Sequence, residues 1–219
     1  KTVEFIEEQA GGEQPWLCWT GFIKPHPPFD PTVPFNTLYD PVEMPLPIEG
    51  PDDAVEHNWY QKLQNTGKWM DQGPDALERS GQAEDTLVVF TSDHGEFLGD
   101  HGCWGKRSWY EGPGRVPMLV RWPGRVPAGE RRSQIVGPAD LMPTFMQAAG
   151  LDVPDGCNGV SLLEVARDDA PTRDIAFGQL GEMGHAIYLA ADAEWKYIYS
   201  STDGKEQLLH TAADPDELT

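Results

Sequence analysis

The sequence predicts an α/β fold, in which helices flank a mixed, largely parallel sheet and a small antiparallel β subdomain follows at the C-terminal end. Three short apolar segments bounded by turn residues predict buried strands, at residues 15–23, 86–90 and 116–122. Helical patterns occupy residues 1–9 and 138–150. Because strands alternate with helices, we assign residues 1–172 to the α/β domain and residues 173–219 to the subdomain.

The elements follow one another in a simple order. After the first strand, residues 24–35 contain five prolines, which exclude regular structure, and residues 30–53 continue as a long loop. A weaker helix then ends near Gly81, just before the second strand. The helix at residues 138–150 ends at Gly150, and it has Leu141, Phe145 and Ala148 on one face.

The C-terminal tail has the pattern of a small antiparallel sheet. Residues 185–210 contain two or three short alternating segments that are typical of strands. Asp203 and Gly204 separate the last pair, and Asp-Gly suits the positive backbone angle of a hairpin turn. The tail is therefore predicted to form hairpins.

The net charge limits the classes of partner. Sixteen Lys and Arg residues against thirty-six Asp and Glu residues give a formal charge of -20, which argues against nucleic acid or an anionic membrane surface. No apolar run approaches the roughly 20 residues of a membrane span, so we expect a soluble protein. The compartment stays open between cytoplasmic and periplasmic or secreted, because a targeting segment would precede Lys1.

Two ionisable residues directly follow the second predicted strand. In open α/β sheets, ligands bind beyond the carboxyl ends of the strands, and Asp93 and His94 lie at that place. A carboxylate oxygen beside an imidazole nitrogen suits a divalent cation. The alternative is that Asp93 caps the following turn and His94 is an ordinary surface histidine.

Two further residues are candidates for binding an anion. Four glycines between residues 95 and 105 allow a tight turn, and Lys106 follows on its far side, where its ammonium can meet a bound oxyanion. His26 lies between two prolines at the end of the first predicted strand, which directs it to the same sheet edge. The alternatives are a solvated surface lysine and a loop histidine placed by chance.

The segment "VVFTSDHGEFLGDHGCWGKR" resembles the "TSDHGE.LGDHG.WGK" signature of the sulfatases, a family of the alkaline-phosphatase superfamily that also includes phosphonate monoester hydrolases. "FIKPHPPFDP" is similar to a second signature of that family and lies upstream in the same order. "RVPMLVRWPG" and the segments after it also match, so the resemblance covers nearly the whole chain. It implies the alkaline-phosphatase-like α/β fold.

The resemblance also implies roles for individual residues. Asp93 and His94 would be ligands of the catalytic divalent cation, Ca²⁺ in most sulfatases and often Mn²⁺ or Zn²⁺ in the phosphonate hydrolases. Lys106 and His26 would be catalytic residues that bind the sulfate or phosphonate oxygens, with His26 also a proton donor to the leaving alcohol. Neighbouring polar members of the two motifs, with supporting roles, are Lys24 and His101.

The sequence also departs from the family. The family's nucleophile is a formylglycine made from the Cys or Ser of a "C/S-x-P-x-R" motif, and none of the three cysteines here lies in one. We expect that formylglycine, and the early acidic metal ligands, in a part of the protein that precedes Lys1. Residues 60–77 are also shorter and more interrupted by glycine than the family's helix. The chain is therefore expected to be a C-terminal portion that is inactive by itself.

Three functions remain open from the sequence. The leading one is metal-dependent hydrolysis of a sulfate ester, with a small-molecule or carbohydrate substrate. The second is hydrolysis of phosphonate monoesters or phosphodiesters by the same residues, because both kinds of oxyanion make similar demands on Lys106 and His26. The third is a truncated, non-catalytic module with the same fold.

Overall fold

A computed structural model of the chain describes residues 1–21, 73–167, 173–182 and 184–219, which belong to two compact units. The described part of the first unit is residues 1–21 and 73–86, and that of the second begins at residue 87. None of the helices in these ranges has both the length and the apolar character that crossing a bilayer requires.

The first unit contains two short helices, α1 (Thr2–Glu8) and α2 (Gly73–Arg79). Its buried apolar side chains include Ile6 of α1 and Leu77 of α2. Gln82 ties the unit together, because its Nε2 donates to the Ile6 carbonyl (2.8 Å) and its Oε1 accepts from Trp16 Nε1 (3.1 Å). Both predicted helices are confirmed.

The strand predicted at residues 15–23 is wrong for its described part. Residues 15–21 form no strand, and Leu17 and Trp19 are 71% and 77% exposed. Part of the apolar surface of this segment packs against α1 instead, because the Trp16 ring contacts the Phe5 ring edge-on, with ring centroids 5.6 Å apart. No strand in the described part of this unit could pair with the segment.

The second unit begins with two strands that form an antiparallel pair. In this pair, β1 (Val88–Thr91) runs against β2 (Met118–Arg121), with Val88 opposite Arg121 and Thr91 opposite Met118. The strands predicted at residues 86–90 and 116–122 are thus confirmed, as is the α/β class. They are not buried as expected, since Phe90 and Leu119 are 54% and 62% exposed, and all strand pairs among the described residues are antiparallel.

The described part of the same unit contains three short helices. The short helix α3 (Glu111–Gly114) connects β1 to β2 along the chain. After β2, a 3₁₀ turn leads into α4 (Leu141–Ala148), and α5 (Leu162–Arg167), which we did not predict, follows. The fully buried Asp140 precedes α4, and its carboxylate accepts hydrogen bonds from the backbone N–H groups of Gly137 and Val160, both at 2.8 Å. The predicted helix at residues 138–150 is confirmed.

The C-terminal part of the second unit is a four-stranded antiparallel sheet in sequential order. Its strands are β3 (Ala176–Leu180), β4 (Ile187–Ala191), β5 (Lys196–Ser200) and β6 (Glu206–Leu209). The antiparallel tail is confirmed, because three strands lie within residues 185–210, and Gly204 (φ +71°) turns the last hairpin as predicted. The sequence analysis did not predict β3, which precedes that segment. The domain boundary after residue 172 stays a prediction.

Trp109 connects this sheet to the segment that precedes α3. Its Nε1 donates to the Ile187 carbonyl (3.0 Å) at the start of β4. Its ring covers Gly178 of β3 so closely that a Cβ atom there would lie 2.7 Å from the ring. Gly178 therefore lacks a side chain because the indole fills that space.

A buried group of charges makes a second connection between the sheet and α3. Lys196 Nζ lies 2.7 Å from Glu111 Oε1 and 2.6 Å from Glu217 Oε1. The side chains of Lys196 and Glu217 are only 7% and 1% exposed. Glu217 Oε2 also accepts a hydrogen bond from the Glu111 backbone N–H (2.6 Å). We call these three residues the Lys196 triad.

The triad predicts a loss of stability in acid. Burial raises the pKa of Glu111, but the hydrogen bond and charge of Lys196, with a smaller effect of Arg115, lower it below its ordinary 4.5. A carboxyl with a lowered folded-state pKa stabilises the fold above pH 4.5, and this contribution disappears as the pH falls through the folded-state value. We expect Glu111→Gln to destabilise the chain at neutral pH and progressively less below that point.

Urea denaturation across this pH range measures the effect, with Glu182→Gln, at an exposed position, as the control. If the free energy of unfolding differed between wild type and Glu111→Gln by the same amount from neutral to acid pH, the charge of Glu111 would not be the cause.

Candidate active site

The candidate site begins where β1 ends. Ser92, Asp93 and His94 follow Thr91, and Ser92 Oγ donates to the His94 carbonyl at 2.8 Å, with Asp93 Oδ1 3.2 Å away. The Asp93 side chain is 83% exposed and that of His94 33% exposed. Both predicted ligands therefore lie at the strand end and are open to solvent.

The next two residues bind the strand end to α3. The Gly95 N–H donates to the Pro113 carbonyl (2.8 Å), and the Glu96 N–H donates to the Gly112 carbonyl (3.1 Å). A Cβ atom on Gly95 would overlap the Gly112 carbonyl oxygen, which is backbone and cannot turn away. Glycine is therefore required at position 95 for the close approach of the two segments.

This close approach predicts a large effect of Gly95→Ala. The added methyl group would push α3 away from the strand end, and we expect the free energy of unfolding to fall by about 1–3 kcal/mol. Urea denaturation measures this change. The matched control is Gly137→Ala, because Gly137 has an extended φ of −161° and a Cβ atom added there would meet no other atom within 4 Å. Equal stability of the two variants would contradict the prediction.

The glycine-rich segment returns the chain to the strand end. The Phe97 N–H donates to the Gly105 carbonyl (2.9 Å), and the Glu96 carboxylate accepts from the Gly105 N–H. These bonds close the loop and place Lys106 beside His94. We did not predict a role for Glu96. The sequence feature that could have indicated it is an acidic side chain in a glycine-rich segment, where backbone N–H groups need hydrogen-bond acceptors.

Three predicted residues meet at the loop. Lys106 Nζ lies 2.6 Å from His94 Nε2, and Asp93 Oδ2 lies 3.3 Å from the same nitrogen. His94 Nδ1 lies 2.7 Å from the Gly95 carbonyl, which can only accept a hydrogen bond. We therefore assign the proton to Nδ1, so that Nε2 presents its lone pair and accepts from Lys106.

The electrostatics of Asp93 favour its charged form. Partial burial raises the pKa of Asp93, but hydrogen bonds from the backbone N–H groups of Asp93 and His94 and from Ser92 oppose this effect, and the pKa lies below its ordinary value. Asp93 is accordingly a carboxylate at neutral pH, as a cation ligand has to be.

Asp93 and His94 have the chemistry of a partial metal shell. Oδ2 and Nε2 are 3.3 Å apart, which suits two neighbouring ligand atoms at about 2.3 Å from one cation. The described residues contain no group of three His, Cys, Asp or Glu side chains arranged to hold a metal ion. The two residues thus fit part of a shell that other ligands must complete.

Three predicted site residues remain. His26 and Lys24 lie outside the described residues. His101 has a left-handed backbone (φ +54°), and its ring lies 4.5 Å from that of Tyr110, centroid to centroid. His101, within the glycine-rich segment, therefore packs against the Tyr110 ring.

The comparisons with known proteins decide the family. The sulfatase family model matches residues 1–151, more than half of the chain. The chain belongs to the sulfatase family. A second model, described as N-sulphoglucosamine sulphohydrolase, C-terminal, matches residues 99–219. The predicted family is confirmed.

Relatives of this sulfatase-family chain include enzymes for different esters. The choline-sulfatase of Rhizobium meliloti is 28% identical over 245 residues, which cover 97% of this chain and 47% of the relative. The solved phosphonate monoester hydrolase of Agrobacterium radiobacter has a TM-score of 0.79 and 25% identity, covering 100% of this chain and 55% of that one.

A third relative is a solved structure in complex with its substrate D-glucosamine-2-N,6-O-disulfate. It has a TM-score of 0.63 and 32% identity, and the match covers 67% of this chain and 32% of that one. Across these matches, the sulfatase-family chain spans at most about half the length of its relatives.

Proposed function

We propose that this chain forms the C-terminal part of the active site of a sulfuric ester hydrolase. The observation that carries the proposal is the meeting of Asp93, His94 and Lys106 at the end of β1, with 2.6 Å and 3.3 Å contacts at His94 Nε2. An anionic ligand on this acidic chain needs such a local group of cationic and metal-binding side chains.

Asp93 and His94 would contribute two ligands to a divalent cation, for which we propose Ca²⁺, with Mn²⁺ and Zn²⁺ as alternatives. When bound, such a cation withdraws negative charge from the oxygens of the ester. The Gly95 carbonyl holds the proton of His94 on Nδ1, which leaves Nε2 as the ligand atom. The formylglycine and the remaining ligands would come from residues that precede Lys1.

Lys106 would bind the oxygens of the ester. Its ammonium now donates to His94 Nε2, the atom that the cation would take. In the loaded site Lys106 would therefore exchange this contact for a substrate oxygen, where its charge stabilises the negative charge that develops in the transition state. His26 would bind the same oxygens and donate a proton to the leaving alcohol.

For the substrate, we propose a sulfated carbohydrate or another small sulfate ester. The support is the match to the C-terminal model of N-sulphoglucosamine sulphohydrolase over residues 99–219, and the glucosamine disulfate bound by the 32% identical relative. The part of the chain that would contact the alcohol portion of the ester includes the Pro-rich segment after His26.

The second candidate is a phosphonate monoester hydrolase. The observation that favours it is the match to the Agrobacterium radiobacter enzyme over 100% of this chain, against 67% for the structure with the sulfated sugar. The ammonium of Lys106 would serve a phosphonate oxygen as well as a sulfate oxygen.

The decisive experiment extends the chain on its N-terminal side with the residues encoded before Lys1. A "C/S-x-P-x-R" motif there would support an enzyme, and an immediate start codon would support the non-catalytic module. The extended protein is then assayed on an aryl sulfate and an aryl phosphonate monoester. Turnover of the sulfate supports the proposal, whereas turnover of the phosphonate alone would overturn it in favour of the second candidate.

Metal binding tests the ligands in the 219-residue chain itself. We expect weak Ca²⁺ binding by isothermal titration calorimetry, because two side chains supply too few of the six or more ligands that Ca²⁺ takes. Asp93→Ala should abolish it, while Asp203→Ala, which removes a carboxylate from the last hairpin, should not. Tight binding that survives Asp93→Ala would show that the assigned ligands are wrong.

A further inference from the structure

The Lys196 triad lies on a continuous hydrogen-bonded path to His94. Glu217 Oε2 accepts from the backbone N–H of Glu111, the first residue of α3 (2.6 Å). The next two carbonyls of α3, from Gly112 and Pro113, accept from the N–H groups of Glu96 and Gly95. The chain end is thus joined to the segment that follows the proposed metal ligands.

The last step of the path is a single peptide group. The peptide between Gly95 and Glu96 directs its N–H to the Gly112 carbonyl (3.1 Å) and its C=O to His94 Nδ1 (2.7 Å). Because these atoms belong to one planar unit, a shift of α3 rotates the acceptor that holds the imidazole. The tautomer and the direction of His94 Nε2 therefore depend on where α3 lies.

The burial and the backbone conformation of Glu217 are unfavourable for a residue that only stabilises the position of α3. Its side chain is only 1% exposed, and its backbone takes the left-handed region (φ +55°), which is unfavourable for a residue with a side chain. Buried ion groups commonly stabilise a fold no more than apolar side chains of the same shape would. A directional contact to the Glu111 N–H, in contrast, requires an oxygen at this place.

We propose that Glu217 is a positioning residue for the site formed by Asp93, His94 and Lys106. It holds the first turn of α3 against the strand end, so that the Gly95 carbonyl keeps the proton of His94 on Nδ1 and leaves Nε2 available. The significance of this role for catalysis rests on the proposed function, whereas the mechanical coupling does not.

Amide hydrogen exchange of the 219-residue chain, followed by NMR, tests the coupling. In Glu217→Ala we expect the amides of Gly95 and Glu96 to exchange at least about tenfold faster, relative to the amides of the central strands β4 and β5. In Glu217→Gln, which keeps an oxygen for the Glu111 N–H, most of this local protection should return.

Asp214→Ala is the matched control. Asp214 lies in the same tail and accepts from the backbone N–H of Thr219 (2.7 Å), and also from those of Leu218 and Glu217, so its loss disturbs the backbone there but keeps the Glu217 carboxylate that contacts Glu111. We expect no selective change at Gly95 and Glu96 in this variant. An equal rise in all amides of Glu217→Ala, or the same local rise in Asp214→Ala, would overturn the proposal.

The state of the His94 ring provides a second measurement. Long-range ¹H–¹⁵N spectra distinguish protonated Nδ1 from protonated Nε2, and we expect the Nδ1–H form in wild type and a mixture of forms in Glu217→Ala. An unchanged tautomer in Glu217→Ala would overturn the proposal. These measurements use no substrate. If the extended protein fails to cleave sulfate esters, the proposed function is wrong, but the coupling between Glu217 and His94 is still tested independently.

Discussion

Lys106→Ala is expected to lower kcat/KM for an aryl sulfate by about 10²–10³ in the protein extended before Lys1. The physical reason is that the ammonium acts where negative charge develops, so that its removal destabilises the transition state more than the bound substrate. The fall should therefore appear in kcat as well as in KM. Steady-state kinetics with wild type and variant side by side measure both constants.

The control for this prediction is Lys205→Ala. The Lys205 side chain is 75% exposed on the last hairpin, so this variant removes the same charge and the same number of atoms away from the site. We expect its kinetics to match those of wild type. A change of less than about threefold in Lys106→Ala would show that Lys106 does not bind the reacting group.

Lys196→Met should cause the largest loss of stability. The methionine keeps most of the volume of the lysine stem, but the carboxylates of Glu111 and Glu217 remain beside each other without a cation. Removing one partner of a buried ion group costs about 3–5 kcal/mol in the free energy of unfolding. Urea denaturation at neutral pH measures this loss.

Two further variants test its cause. Lys205→Met changes an exposed lysine and should alter stability by no more than about 0.5 kcal/mol. Adding Glu217→Gln to Lys196→Met removes one of the two stranded charges and should restore part of the loss. A cost below about 1 kcal/mol for Lys196→Met alone would mean that the triad behaves as a surface ion pair.

Local patterns were sufficient for several elements. The helices near residues 1–9 and 138–150 follow from apolar spacing, the second also from the terminal Gly150, and the last hairpin follows from Asp203 and Gly204. These features depend on neighbours in the sequence. The segment at residues 15–21 shows the limit, because an apolar run predicts a strand only if another strand is available to pair with it.

The individual contacts of the candidate site were harder to predict from the sequence. The position of Asp93 and His94 after a strand is a local property, and the motif that contains them also indicated the family. The contact of Lys106 with His94 depends on the Glu96 carboxylate, which closes the loop on the Gly105 N–H. Nothing in the spacing alone identifies that acceptor.

The sequence by itself determined the α/β class, the sulfatase family and the residues expected at the strand end, because these depend on local pattern and on a specific motif. Only the tertiary structure decided how the strand end is held. Lys196 looks like a surface lysine in the sequence, and it is buried because Glu111 and Glu217, 85 and 21 residues away, meet it. Long-range contacts of this kind depend on the folded path of the whole unit, which no local pattern encodes.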